Sequence, residues 1–270
     1  MSKTILITGS TDGIGKASAI TLLMQGHRVL LHGRNQDKLD ALCEELSTRF
    51  GCERVAGYCA DLSVMAEVTS LAKAVTEDNA QLDVLINNAG VFKTTQTLTS
   101  DGYDVRFMVN TIAPYILTKA LLAIVPKQGR IINLSSAAQS PFEASELLTP
   151  SNLSSGAVYA KSKLALTMWS MCLGAQLKAS GPCMVAVNPK SFLGSKMVQE
   201  AYGMQGSSVQ LGADILVEAA LGERFADAGG LYFDNDINQF SPPHQSAMDQ
   251  SLMADLMETL AQLQQQAKPA

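Results

Sequence analysis

Two side chains in this sequence are spaced to move a proton. Tyr159 and Lys163 stand four residues apart in Tyr159-Ala160-Lys161-Ser162-Lys163, so in a helix both project from one face of successive turns. A neutral phenol, with an ordinary pKa of about 10, is a poor base. An ammonium held one turn away favours the phenolate, and a fall of ~3 units would correspond to ~4 kcal/mol of differential stabilisation, within the reach of functional sites. Tyr159 would then donate and accept protons near neutral pH. Tyr-x-x-x-Lys alone is a common spacing; its meaning depends on what accompanies it.

A second stretch suits an anion. Thr8-Gly9-Ser10-Thr11-Asp12-Gly13-Ile14-Gly15 follows a β-branched run, residues 3–8, and precedes a segment where Ile14, Ala17, Ile20, Thr21 and Met24 recur at helical spacing. Strand, glycine turn and helix start make a phosphate cradle: glycines admit a pyrophosphate close to the backbone, and the first helical turn offers it N–H groups. A tight strand-to-helix turn is the plainer reading of such a cluster. The spacing is not the G-x-G-x-x-G of the commonest dinucleotide fingerprint. It fails the triphosphate-loop pattern too, since Ser10 stands where Gly is needed and Ala17 follows Lys16 in place of Ser or Thr.

The elements that must position these residues follow from periodicity. Residues 27–32 read as a second strand, followed by Gly33-Arg34-Asn35 and a helix to about Phe50 striped with Leu39, Leu42 and Leu46. A dinucleotide unit often carries a carboxylate at the end of this strand to hold ribose hydroxyls. Here Gly33 holds that place and Arg34 follows, which fits a ribose bearing a 2′-phosphate, with His32 close by and Lys16 within reach; a solvated loop arginine is the alternative. Residues 54–60 make a third strand ending at Asp61-Leu62 before a helix starting near Ser63, where Asp61 also suits a helix cap. Residues 82–86 read as a buried fourth strand running into Asn87-Asn88-Ala89-Gly90. A long helix is expected over residues 100–126, bent at Pro114, with Asn110 among Phe107, Met108, Val109 and Ile112. Residues 129–134 form a fifth strand ending in Ser135-Ser136, and a long connection, 137–156, precedes the helix that Tyr159 opens and that runs to about Ser180. A sixth strand spans 184–188, a helix 209–221 and a seventh strand 230–233; beyond Pro242-Pro243, Met248, Leu252, Leu256, Leu260 and Leu263 form one amphipathic stripe. This alternation predicts one domain over residues 1–270, a doubly wound Rossmann-type α/β fold with a central parallel sheet of about seven strands and helices on both faces. Residues 137–157 and 191–207 are its substrate-side loops, expected to close over a ligand, and 244–270 a helical tail packing on its own domain.

Composition removes several function classes. A formal charge of −5 with both signs interspersed gives no basic face for nucleic acid. Five scattered cysteines without C-x-x-C spacing support neither a metal site nor a disulfide framework, and read as thiols in a reducing compartment. The first strand begins close behind Met1, and no apolar run is expected to approach the ~20 residues of a membrane span. The expectation is a cytoplasmic protein with no membrane partner.

Taken in order, T-G-x-x-x-G-I-G, N-N-A-G after a strand, the serine-ended strand and Y-x-x-x-K resemble the short-chain dehydrogenase/reductase family, closely over about residues 3–188 and loosely beyond. The resemblance implies NADP(H)-dependent hydride transfer between nicotinamide and a carbonyl or alcohol. Catalysis would fall to Asn110, Ser136, Tyr159 and Lys163: Tyr159 as general acid/base, Ser136 bonding the substrate oxygen, Lys163 also bonding the nicotinamide ribose, and Asn110 holding a water in a proton relay; a buried Asn is equally often a structural group. Cofactor contacts would come from Gly9, Ser10, Thr11, Asp12, Gly13, Ile14 and Gly15, from Arg34, Asp61 (on the adenine amino group) and Leu62, from Asn88, Ala89 and Gly90, and from Tyr159, Lys163, Pro189 and Ser195. Lys190 departs from the family, which usually carries Gly after that Pro. The helices of Tyr115 and Trp169 look more apolar than one sheet face needs, and relatives often pair them, implying a homodimer or homotetramer. A cofactor-sensing protein without turnover is the alternative. A serine hydrolase is set aside for want of a G-x-S-x-G elbow. Apolar residues in the two loops point to a moderately apolar substrate.

Overall fold

The computed structural model describes residues 1–203 and 205–267. Met204 of the expected 191–207 loop and residues 268–270 of the expected tail lie outside them. One sheet organises the chain, in the order β3-β2-β1-β4-β5-β6-β7-β8. Its strands are β1 (Thr4–Ile7), β2 (Arg28–Gly33), β3 (Val55–Cys59), β4 (Val84–Asn87), β5 (Arg130–Leu134), β6 (Cys183–Asn188), β7 (Tyr232–Asp234) and β8 (Gln239–Phe240). The first seven are parallel; β8 runs antiparallel to β7. An eighth strand corrects the expected seven. At two residues it is too short for an alternation to register, and it is held by Phe240 packing its ring 5.2 Å from Phe225 and 5.1 Å from Phe233.

Alternation along the strands sorts the core into two layers. Ile5, Ile7, Val29 and Leu31 face α1 (Gly13–Met24), α2 (Gln36–Phe50) and α8 (Val209–Leu221). Leu6, Leu30, Leu85 and Ile131 face the other layer, built by α3 (Met65–Asp78), α4 (Val105–Phe107), α5 (Ala113–Leu121), α6 (Ser155–Leu177) and α9 (Gln250–Gln266). The remaining helix, α7 (Lys196–Tyr202), lies within the expected 191–207 loop, whose base is tied by a bridge between Leu193 and Ser207.

Three boundaries differ from expectation. The long helix starts at Val105, capped by the buried Asp104, whose carboxylate also takes a two-pronged bond from Arg106 (2.8 and 2.5 Å). Its irregularity is a π-turn over Met108–Ile112 rather than a bend at Pro114; the wide turn shifts the ladder just where proline lacks an N–H to give. Val105–Ile124 is, by length and composition, apolar enough to cross a membrane, which corrects the expectation of no such run; 72% of its apolar window is buried inside the domain, as in a core helix. Helix α6 begins at Ser155 rather than Tyr159, because Ser154 caps it by accepting from Ala157 N (3.3 Å).

The 137–156 connection is packed over residues 142–147 and exposed over most of 148–154. Phe142, Ala144 and Leu147 are buried, a 3-10 turn over Ala144–Leu147 carries a Glu143/Glu146 capping box, and Lys161 holds Glu146 at 2.7 Å. The tail behaves as expected from Leu256 onward: Leu256, Leu260 and Leu263 are buried in the same layer as Tyr115 and Trp169, whereas Met248 is exposed. Tyr115 and Trp169 meet edge-on at 5.6 Å and are themselves buried.

Candidate active site

A cleft of about 520 Å³ opens at the carboxyl ends of the parallel strands, where open α/β sheets hold ligands. One wall of it is the glycine turn, and the structure explains the spacing of both glycine motifs at once. Gly9 has φ +63°, and a Cβ there would lie 2.9 Å from Ala89 Cα. A Cβ on Gly15 would strike Gly9 O, and would stand 2.5 Å from Asn88 Nδ2. Asn88 in turn donates to Thr8 O (2.8 Å) and Gly9 O (3.0 Å), while Thr8 Oγ1 accepts from Asn88 N and Ala89 N (3.0 Å each). The two motifs are thus one interlock between β1 and β4. Asp12 caps α1, accepting from Gly13 N at 2.7 Å.

Thr11, Asp12, Gly13 and Ile14 face the cleft; Ser10 and Gly15 are buried behind it. Ser10 Oγ accepts from His32 N (2.8 Å), which corrects its expected ligand role. His32 is also reassigned. Its Nδ1 accepts from Gly9 N (3.0 Å) and its Nε2 lies 3.1 Å from Ala60 O, an arrangement that places the proton on Nε2. Burial pushes its pKa down to about 4, so this neutral imidazole props the turn and offers nothing to a phosphate.

At the end of β2 the position that looked empty in sequence is filled: a Cβ on Gly33 would meet Thr11 Cγ2 at 2.5 Å. Arg34 and Lys38 are exposed and line the cleft, Lys38 being a cation the sequence reading missed. It stands one helical turn beyond Arg34, a spacing that would have flagged it. Lys16 does not line the cleft; Glu45 holds its ammonium at 3.1 Å. Asp61 and Leu62 line the cleft near Arg34, and Asp61 accepts from Ser63 N (2.8 Å) as a local cap.

Helix α6 brings Tyr159 and Lys163 to the cleft. Lys163 is buried, donates from Nζ to Leu134 O (2.6 Å) and lies 5.7 Å from the Tyr159 ring centre. Burial lowers its pKa to about 7. Phe92, also missed, packs its ring 4.9 Å from that of Tyr159. Asn110, in the π-turn, uses Oδ1 to accept from Val91 N (2.8 Å) and Nδ2 to donate to Val91 O and Ser162 Oγ (3.0 Å each). Ser162 Oγ donates onward to Tyr159 O (2.7 Å). The Asn110 side chain therefore fixes the chain after Gly90 and the Tyr159 turn. Ser136 stands at the cleft with its carbonyl accepting from Tyr232 OH (3.2 Å) and Gln139 Nε2 (2.9 Å). Burial drives the Tyr232 phenol well above its usual pKa, so it acts as a neutral donor. Pro189 and Ser195 close the far wall with Lys190, Phe192 and Met197.

Residues 3–205 match the family model described as short chain dehydrogenase. Retinol dehydrogenase 13 of Homo sapiens is 29% identical over 252 residues, covering 86% of this chain and 76% of that protein. An uncharacterised protein from Mycobacterium paratuberculosis has the same fold, with a TM-score of 0.78 at 23% identity over 99% of this chain and 95% of its own. A short chain dehydrogenase from Burkholderia cenocepacia, solved in complex with NADP, superposes with a TM-score of 0.68 at 24% identity, over 86% of this chain and 95% of its own.

Proposed function

This chain belongs to the short chain dehydrogenase family, and on that premise we propose that it is an NADP(H)-dependent oxidoreductase acting on a carbonyl or alcohol, with Tyr159 as its general acid/base. The observation that carries the proposal is the placing of Tyr159 and the buried Lys163 in the same cleft as the glycine turn. A dinucleotide fits the residues present: the turn excludes side chains at Gly9 and Gly15, and the first turn of α1 faces the cleft. Thr11 to Ile14 would hold its pyrophosphate, Asp61 and Leu62 its adenine, Lys163 the ribose and Ser195 the carboxamide side. When bound, the nicotinamide supplies or takes the hydride.

The chain's own residues handle the proton. In the reducing direction Tyr159 gives its phenolic proton to the substrate oxygen, while Ser136 donates a hydrogen bond to that oxygen as its charge grows. A phenolate at Tyr159 would favour the charged form of Lys163, which burial alone disfavours. Asn110 contributes by holding Val91 and, through Ser162, the Tyr159 carbonyl. Preference for NADP(H) rests on Arg34 and Lys38 at the cleft and on the missing carboxylate at Gly33. Val91, Phe92, Val109, Phe192 and Met197 make the substrate side apolar, and the retinol dehydrogenase relative places elongated apolar aldehydes first in a substrate panel. The free cysteines suit a cytoplasmic setting.

The test is a panel of aldehydes and ketones followed by NADPH absorbance. Tyr159→Phe is expected to lose about 10³-fold in kcat, the middle of what a general acid contributes, with NADPH binding retained. Lys163→Ala should damage binding and turnover together. NADPH binding without turnover of any carbonyl would instead favour a cofactor-sensing protein.

A further inference from the structure

The wall beside Ser195 contains a backbone conformation that lysine does not choose. Lys190 lines the cleft at φ +124°, a region suited to glycine, and Phe192 follows at φ +53°. A non-glycine residue persists there only when its surroundings over-determine it. Those surroundings are the turn between β7 and β8. Asp236 accepts from Ser191 N (2.9 Å), Ser191 Oγ (2.5 Å) and Asn188 Nδ2 (2.9 Å). Asn188 Nδ2 donates also to Asp234 Oδ1 (2.8 Å), and Asn235 Nδ2 donates to Pro189 O (2.8 Å). Three consecutive side chains, Asp234, Asn235 and Asp236, thereby grip the residues on both sides of Lys190. Burial would raise the Asp236 pKa, but the bonds from Ser191 and Asn188, with the Lys190 charge, outweigh it and hold the carboxyl below its usual range, consistent with an ionised acceptor.

We propose that Asp236 is a positioning residue for the cofactor-side loop, clamping residues 188–191 in a glycine-like path and so allowing lysine at position 190. The functional half of this inference rests on the cleft being a dinucleotide site; the conformational half does not. If the clamp works against strain at Lys190, removing the strain should remove the need for the clamp.

The experiment is a double-mutant cycle of Asp236→Ala and Lys190→Gly, read by amide hydrogen exchange over residues 188–198 in the protein as isolated, and by NADPH dissociation constants. Asp236→Ala should speed exchange at Ser191 and weaken NADPH about tenfold, a change at the lower end of the strain cost of such a residue. Adding Lys190→Gly should restore both to within about threefold of the parent. Asp236→Asn, which keeps an acceptor without the charge, should fall between, and serves if the alanine variant does not fold. Unchanged exchange at Ser191 in Asp236→Ala, or an equal effect with glycine at 190, would overturn the proposal. Should the parent protein bind no nicotinamide nucleotide, the cofactor reading fails, and the exchange cycle still decides whether the clamp exists.

Discussion

His32 shows how a single side chain can be near the chemistry and yet serve the scaffold. Its two ring nitrogens are spent on Gly9 N and Ala60 O, and burial holds its pKa at about 4 against an ordinary 6.5. The unfolded chain takes up a proton as pH falls through 6.5, whereas the folded chain does not until about 4, so stability is lost across that window and levels below it. A gap of that size corresponds to ~3 kcal/mol. His27, whose pKa burial also lowers, titrates in the same direction, so the measurement must be differential. Urea unfolding of the parent and of His32→Gln from pH 7 to 4 should show the parent losing ~3 kcal/mol more than the variant. Equal losses would mean that His32 is not kept neutral. None of this was legible in the sequence, where His32 looked like a phosphate neighbour; the tautomer is set by Ala60 O and Gly9 N, contacts between residues 28 and 23 positions apart.

At the scale of elements, the catalytic helix and the glycine turn were legible because their signals are local: Tyr159 and Lys163 share a face by spacing, and Gly9 and Gly15 are glycine for steric reasons. The end of β2 was half legible. Arg34 does face the cleft, but the absent side chain at Gly33 is enforced by Thr11 from another element. Arg34→Ala should weaken NADPH by roughly ten- to a hundredfold and leave NADH binding within about threefold, measured by titration. Adding a carboxylate by Gly33→Asp should require the Thr11 side chain to turn aside and should weaken NADPH relative to NADH, measured by titration, with unchanged nucleotide preference counting against the role of this position. The two expected lids separate on the same grounds. Residues 137–156 are pinned by Phe142, Leu147 and the Lys161–Glu146 pair, whereas α7 rises from a pinched base at Leu193 and Ser207. Hydrogen exchange with and without NADPH should therefore change over α7 and little over 142–148; the opposite pattern would assign closure to the wrong segment.

Across the whole molecule, α9 determines which surface is left for partners. It buries Leu256, Leu260 and Leu263 in the same core cluster as Tyr115 and Trp169 and packs against α6. Sequence periodicity showed that these helices needed a cover and could not show whose helix supplied it. A homodimer or homotetramer would have to use another face. Sedimentation at micromolar concentration should give a monomer for the full chain, and deletion of residues 250–270 should lower the melting temperature by at least ~10 °C and drive association. Here three buried leucines are lost at ~2 kcal/mol or more each. A stable dimer of the full chain would refute the assignment of this face.

The family match ends at residue 205, yet Tyr232 and Gln139 converge on the Ser136 carbonyl, Asn235 holds that of Pro189, and His244 N reaches Gln139 Oε1 at 2.9 Å. For anyone recombining this protein with its relatives, the catalytic side chains and the backbones that aim them therefore travel on different parts of the gene. A graft that imports residues 1–205 alone brings in Ser136 and the 188–195 loop without the supports that hold them. The workable seam lies beyond His244, where the supports and the residues they hold move together.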